Sequence, residues 1–309
     1  MRQLTSGIHR RAAIGAVAVG AGLVLAGCGS GDPLDSGSSD GGGSATIVIG
    51  SQAYYSNDII AEIYAQALED AGFEVQRQFQ IGQRDVYLEA MESGEVQLFP
   101  EYTGNLLQYY DSGAEARSPE DIAAALPDVL PDGLAVLDYA EAQDGDSYNV
   151  TSEFSAENGV TSLADLAGYD GTITIGGNAE LESRPYGPAG LSEFYGVDVG
   201  FVAIGDSGGP LTKDAIRDGT ITMGDIYSAD PDLASGDLIT LEDPEGMILA
   251  QNVVPLVRAD IADEISDVIN AVSAQLSTED LIALNASSVV DQLDAATIAT
   301  DWLTTTGLL

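Results

Sequence analysis

Gln97-Leu98-Phe99-Pro100-Glu101-Tyr102-Thr103-Gly104-Asn105 reads as a short buried strand that runs straight into an aromatic and polar turn. Residues 96–99 carry the β-branched and aromatic side chains of a strand. Pro100 has no N–H to give to a ladder and is expected to end it. Thr103 and Gly104 then open a helix over residues 105–110. In open α/β sheets ligands bind outside the carboxyl ends of strands, so Tyr102 and Asn105 are expected to face a crevice and not a core.

Upstream, Thr46-Ile47-Val48-Ile49-Gly50 is a continuous apolar run suited to a buried parallel strand. A helix follows over residues 56–71, where Ile59, Ile63 and Ala67, flanked by Ile60, Tyr64 and Leu68, give a broad apolar face. Ser56, Asn57 and Asp58 supply capping oxygens, and Gly72 supplies the stop. Residues 73–81 alternate as a second strand and 84–93 form a second helix. Downstream, a short helix near 120–126 leads to extended crossing segments at 134–140 and 147–155. A second lobe then alternates helices (162–167, 188–195, 211–218) with strands (172–175, 201–204, 220–226). Residues 247–257 return, and amphipathic helices at 260–276, 278–289 and 295–305 close the first lobe. Strand and helix alternation argues for parallel sheets flanked by helices, an α/β fold in two lobes. The expected domain limits are 45–142 and 251–309 for the first lobe and 143–250 for the second. Four strand ends, at Gly50-Ser51-Gln52, Pro100-Glu101-Tyr102, Gly176-Gly177-Asn178 and Asp225-Ile226-Tyr227, project loops towards a cleft between them.

The amino terminus carries Arg2, Arg10 and Arg11 ahead of an apolar run too short to span a bilayer as a mature helix, which is the pattern of an export signal over residues 1–27. It ends in Leu25-Ala26-Gly27-Cys28, which looks like the lipobox of bacterial lipoproteins and makes the thiol of Cys28 the expected lipid attachment point. Residues 28–44 complete a Gly/Ser/Asp tether that cannot bury a core. The expected location is therefore the extracytoplasmic face of the cell membrane. Removing the signal takes three arginines and the single histidine, leaving 7 basic against 50 acidic residues and a formal charge of −43. With no histidine, and no cysteine beyond position 28, the mature chain lacks the parts for Ser-His-Asp or Cys-His nucleophiles, His-based zinc sites and thiol redox chemistry. No cofactor or metal is expected. So acidic a surface also argues against nucleic acid as a partner.

The run from Ile47 to Tyr110 resembles the substrate-binding lipoproteins of osmoprotectant ABC importers, the group that binds glycine betaine, carnitine and choline. The matching residues are Gly50-Ser51-Gln52, Ala61-Glu62-Ile63-Tyr64-Ala65-Gln66-Ala67-Leu68, Arg84-Asp85-Val86-Tyr87-Leu88 and Pro100-Glu101-Tyr102-Thr103-Gly104-Asn105-Leu106-Leu107. Ser183-Arg184-Pro185, Ile226-Tyr227-Ser228-Ala229-Asp230 and Gln251-Asn252-Val253-Val254-Pro255 extend the match over nearly the whole mature chain. The resemblance implies a two-lobed periplasmic binding protein of the class II type, a monomer that delivers a quaternary ammonium ligand to permease and ATPase subunits and is not an enzyme. It implies an aromatic cage at Tyr102 and Tyr227, with Tyr148 as a further ring, a polar position at Asn105 and a carboxylate-binding arginine at Arg184. Gln52 stands where many members carry a lysine and Gln251 where some carry a cage tyrosine, so the ligand can differ while the architecture holds. Tyr54 and Tyr55 are candidates to restore aromatic surface.

Two other readings are weighed. One is the same transport role with a different small polar or cationic solute. The other is a cleft enzyme with paired carboxylates, but Glu101, Glu180, Glu182 and Asp225 near strand ends read more simply as helix-start or solvated carboxylates. Lys213, the only lysine of the mature chain, falls in a helix expected to be exposed. Replacing Cys28 with Ser should release the protein from membranes or leave the precursor uncut. Processed protein that still fractionates with membranes would remove the anchor.

Overall fold

Ile47–Gly50 forms β1, a nearly continuous buried run, in a computed structural model that describes residues 46–309. The expected export signal, Cys28 and the tether lie outside the described residues. β1 lies between β2 (Val75–Gln78) and β3 (Leu98–Tyr102), parallel to both. β10 (Val253–Arg258) pairs antiparallel with β3 and with β4 (Leu134–Val136), giving the order β2-β1-β3-β10-β4. The expected parallel sheet is thus mixed, because the chain returns from the second lobe in the opposite sense.

One face of this sheet is covered by α1 (Tyr55–Asp70), α8 (Ala262–Ser273), α9 (Thr278–Val289) and α10 (Ala295–Thr306), whose apolar stripes meet around Ile59, Ile63, Ile269 and Leu303. The other face is covered by α2 (Arg84–Ser93), α3 (Thr103–Tyr110) and α4 (Pro119–Val129) around Tyr87, Phe99 and Leu106. The second sheet has the order β7-β6-β8-β5-β9. It comprises β5 (Tyr148–Thr151), β6 (Ile173–Gly177), β7 (Val199–Ala203), β8 (Met223–Asp225) and β9 (Leu238–Thr240), with β5 antiparallel to β8 and β9. It packs with α5 (Ser152–Asn158), α6 (Pro188–Tyr195) and α7 (Pro210–Arg217).

Three expectations are corrected. Pro100 does not end β3, which runs on to Tyr102 with Pro100 opposite Pro255. The bonds from Arg258 N to Gln97 O (2.9 Å) and from Thr103 N to Asn252 O (3.0 Å) mark the hydrogen-bonded pairs, and the two prolines fall at a position between them where the β3–β10 ladder uses neither N–H. Residues 147–155 are not one extended segment, since Thr151 Oγ1 accepts from Phe154 N (3.0 Å) and starts α5. Lys213 is buried, and its ammonium meets Asp230 at 2.7 Å and Asp232 at 3.0 Å.

The two passages between the sheets run side by side. Ala140 N donates to Val253 O (2.8 Å), Val253 N to Ala142 O (2.9 Å) and Asp144 N to Gln251 O (3.3 Å). The start of α3 is tied to the same passage, with Gly104 N bonding Ala250 O at 3.1 Å. A side chain at Gly104 would place its Cβ 2.6 Å from Ala250 O and 2.7 Å from Leu249 Cβ. Gly104→Ala should therefore lower the urea midpoint by an amount equivalent to about 1–3 kcal/mol. An unchanged midpoint would show that this junction yields.

Candidate ligand-binding crevice

The strand ends meet at one crevice. The segment after β1 supplies Gln52 and Tyr54, β3 supplies Tyr102, and the first turn of α3 supplies Asn105. The passages supply Asp144, Asp146 and Gln251, while the second lobe adds Asn178, Glu180, Arg184, Tyr186, Asp225 and Tyr227. Free space there is about 20 Å³, enough for a water molecule and too little for a trimethylammonium group. Aromatic rings fill the rest. The Tyr54 hydroxyl bonds that of Tyr102, and the Tyr54 ring centroid lies 5.0 Å from that of Tyr227. Asn57 Nδ2 fixes Tyr102 by donating to Pro100 O (2.9 Å) and to the Tyr102 hydroxyl (3.3 Å). Burial pushes the phenols of Tyr54, Tyr102 and Tyr227 above their ordinary range, so they remain neutral donors.

The charged groups are paired inward. Arg84 Nε donates to Glu101 Oε1 at 2.8 Å, Tyr87 donates its hydroxyl to the same oxygen, and Tyr102 N donates to Oε2 at 2.7 Å. Glu101 is fully buried, so the expectation of a solvated or helix-start carboxylate is corrected. Asp225 is corrected likewise: burial, then the adjoining Asp146 carboxylate, holds its proton well above the ordinary range. Burial also pushes Asp144 up to about 7, against hydrogen bonds from Ser56 Oγ (2.8 Å) and Ala229 N (3.0 Å) that favour its charged form. Asp146 Oδ2 accepts from Asn105 Nδ2 at 2.8 Å and Gln251 Nε2 at 2.9 Å. Arg184 meets Glu180 at 3.2 Å, and its guanidinium carbon lies 5.9 Å from the Tyr109 ring centre.

Of the residues singled out by sequence, Gln52, Tyr102, Asn105, Tyr227 and Gln251 line one pocket, and Arg184 lines a small adjoining pocket that shares Asp146, Glu180, Tyr186 and Tyr227 with it. Tyr148 lies elsewhere, in the core of the second lobe, where its hydroxyl donates to Tyr186 O at 2.7 Å. Tyr55 also points away, bonding Asp230 at 3.0 Å. Sequence reasoning missed Arg84, Asp144, Asp146 and Tyr186. The only signals were that Arg84 opens a quoted motif and Tyr186 directly follows another. A larger hollow of about 200 Å³ between α9 and α10, lined by Leu284, Ile298 and Trp302, contains none of the strand-end residues.

The family model for the substrate-binding domain of ABC-type glycine betaine transport systems matches residues 45–305. The chain belongs to this family. Glycine betaine-binding protein YehZ of Escherichia coli K12 is 28% identical over 274 residues, covering 83% of this chain and 89% of that protein. The apo structure of the E. coli protein superposes with a TM-score of 0.61 at 27% identity, over 86% of this chain and all of that one. A crystal structure of a glycine betaine/carnitine/choline ABC transporter protein superposes with a TM-score of 0.68 at 18% identity, over 85% of this chain and 99% of that one. The protein is thus the substrate-binding component of an ABC-type transport system, with the two-lobed fold of that group, and the family is one of transport and not of catalysis. No helix among the described residues is long and apolar enough to cross a membrane.

Asp144 generates a stability prediction. An unfolded aspartate loses its proton near pH 4, whereas the folded chain keeps this one up to about 7. Folded protein binds more protons across that window, so stability should fall as pH rises through it. Asp144→Asn should flatten the decline of melting temperature between pH 4 and 7, and parallel curves for the two proteins would contradict the assignment.

Proposed function

We propose that this family member binds a quaternary ammonium osmoprotectant of the glycine betaine, carnitine or choline type and hands it to its permease. The observation that carries the reading is the convergence of Tyr102, Tyr227, Tyr54 and Tyr186 from both lobes on a crevice rich in carboxylates. A trimethylammonium group cannot donate a hydrogen bond, so the negative faces of aromatic rings replace its water at about 0.5–2 kcal/mol per good contact. Tyr54 occupies the space between Tyr102 and Tyr227, and the ligand takes that place when the lobes part and close again. Asn105, Gln52 and Gln251 orient the polar end, and Arg184 is the donor for a ligand carboxylate. The protein acts as a monomer held by lipid on Cys28 at the extracytoplasmic face. A different small cationic solute in the same role is the second reading, favoured by the same carboxylates.

A binding protein gains stability of RT ln(1 + [L]/Kd), about 2.7 kcal/mol at one hundred times Kd, and leaves its ligand unchanged. A thermal-shift panel should therefore show stabilisation by at least one of glycine betaine, carnitine and choline. Tyr102→Ala should weaken that compound roughly 3- to 30-fold. No shift with any of the three, or binding indifferent to Tyr102, would remove the cage.

A further inference from the structure

We propose a second ligand site, apart from the crevice: the hollow between α9 and α10 takes a small organic cation with a compact aromatic body, an arylalkyl ammonium. Leu284 and the short Ala283 and Ser287 line it from one stripe of α9, and Ile298, Trp302 and Thr305 line it from the matching stripe of α10. Facing stripes of this kind normally interdigitate and leave few voids larger than a water molecule. Ala283 and Ser287 are too short to fill the gap, and about 200 Å³ stays open. None of these residues lines the crevice, so the site stands or falls apart from the transport reading.

The lining sets the chemistry of the guest. Ser287 Oγ donates to Ala283 O at 3.1 Å and Thr305 Oγ1 to Asp301 O at 2.7 Å, so both hydroxyl hydrogens are spent on their own helices and the walls are largely apolar. Trp302 is more than nine-tenths buried, yet its Nε1 has no hydrogen-bond partner among the described residues, a sign that packing around the ring is incomplete. Leu293, from the turn between the helices, completes the lining although it is 41% exposed. The charged residues of the lining are both acidic, Asp280 and Asp301. Asp280 Oδ2 caps α9 by accepting from Ser277 N at 3.1 Å, and Asp301 is exposed. Charge therefore favours a cation and disfavours an anion, while Trp302 favours an aromatic body packed against its ring. Size agrees, because an apolar cavity of about 150 Å³ holds benzene, and about 200 Å³ leaves room for a ring with a short chain.

Trp302 is the only tryptophan of the chain, so its fluorescence reads this hollow directly. The full chain in detergent at neutral pH is titrated with phenethylammonium, with phenethyl alcohol, which carries the same ring without charge, and with phenylacetate, which reverses the charge. Phenethylammonium should give a saturable change and bind about 2- to 5-fold tighter than the alcohol, as one exposed ion pair allows, with phenylacetate the weakest. Asp301→Asn should erase most of that difference and leave the alcohol unchanged. Ala283→Leu, which fills the hollow from an exposed position and is checked for folding by its melting temperature, should remove the saturable response. A response that survives Ala283→Leu, equal binding of ammonium and carboxylate, or no saturable change with any of the three probes overturns the proposal and leaves the crevice reading untouched.

Discussion

A buried polar junction built on Asp144 sets the position of everything else in the crevice. Its carboxyl accepts from Ser56 Oγ at the start of α1 and from Ala229 N in the second lobe, and Asn285 Nδ2 of α9 closes the ring on Ser56 Oγ (3.3 Å) and Ala229 O (3.0 Å). Groups this deeply buried must satisfy one another, because no water is at hand to do so. The junction therefore fixes the turn before α1 against the second lobe. Tyr54 is held towards Tyr102 and Tyr227, and Tyr55 towards Asp230, which Lys213 also holds. Crevice-lining side chains contributed by both lobes thus depend on one shared polar anchor.

The same scarcity of water governs the charges. The chain carries a formal net charge of −40, but a solvated carboxylate on the outside and a desolvated one beside another carboxylate are different objects. Glu101 is answered by Arg84, Tyr87 and the backbone, and it acts as a strut between α2 and β3. Asp144 and Asp225 lack a cationic neighbour of that kind and keep their protons longer. A guest that brings positive charge relieves this arrangement, and one that brings negative charge aggravates it.

Much of this architecture was legible from local pattern. Helix α2 at 84–93, α6 at 188–195 and α9 at 278–289 fall where their apolar spacing and caps put them. The strand-end loops bearing Gln52, Tyr102, Asn178 and Tyr227 do line the crevice. What periodicity cannot reveal is partnership. Pro100 stays in its strand because of the register with Pro255, Lys213 is buried because Asp230 and Asp232 receive it, and Tyr148 turns inward because Tyr186 O accepts its hydroxyl. Asp144 and Asp146 sit in an acidic, irregular passage with no pattern to distinguish them from solvated neighbours, and only the folding of that passage between the lobes gives them a role.

The central claim is that a cation enters a crevice in which Asp144 and Asp225 hold their protons above the ordinary carboxylate range, and proton exchange on binding measures it most directly. Choline is titrated near pH 6 in buffers of differing ionisation enthalpy. The bound positive charge should lower the proton affinity of Asp144 and Asp225, so the account predicts net release of protons. Binding with no proton exchange, or with net uptake, would contradict it.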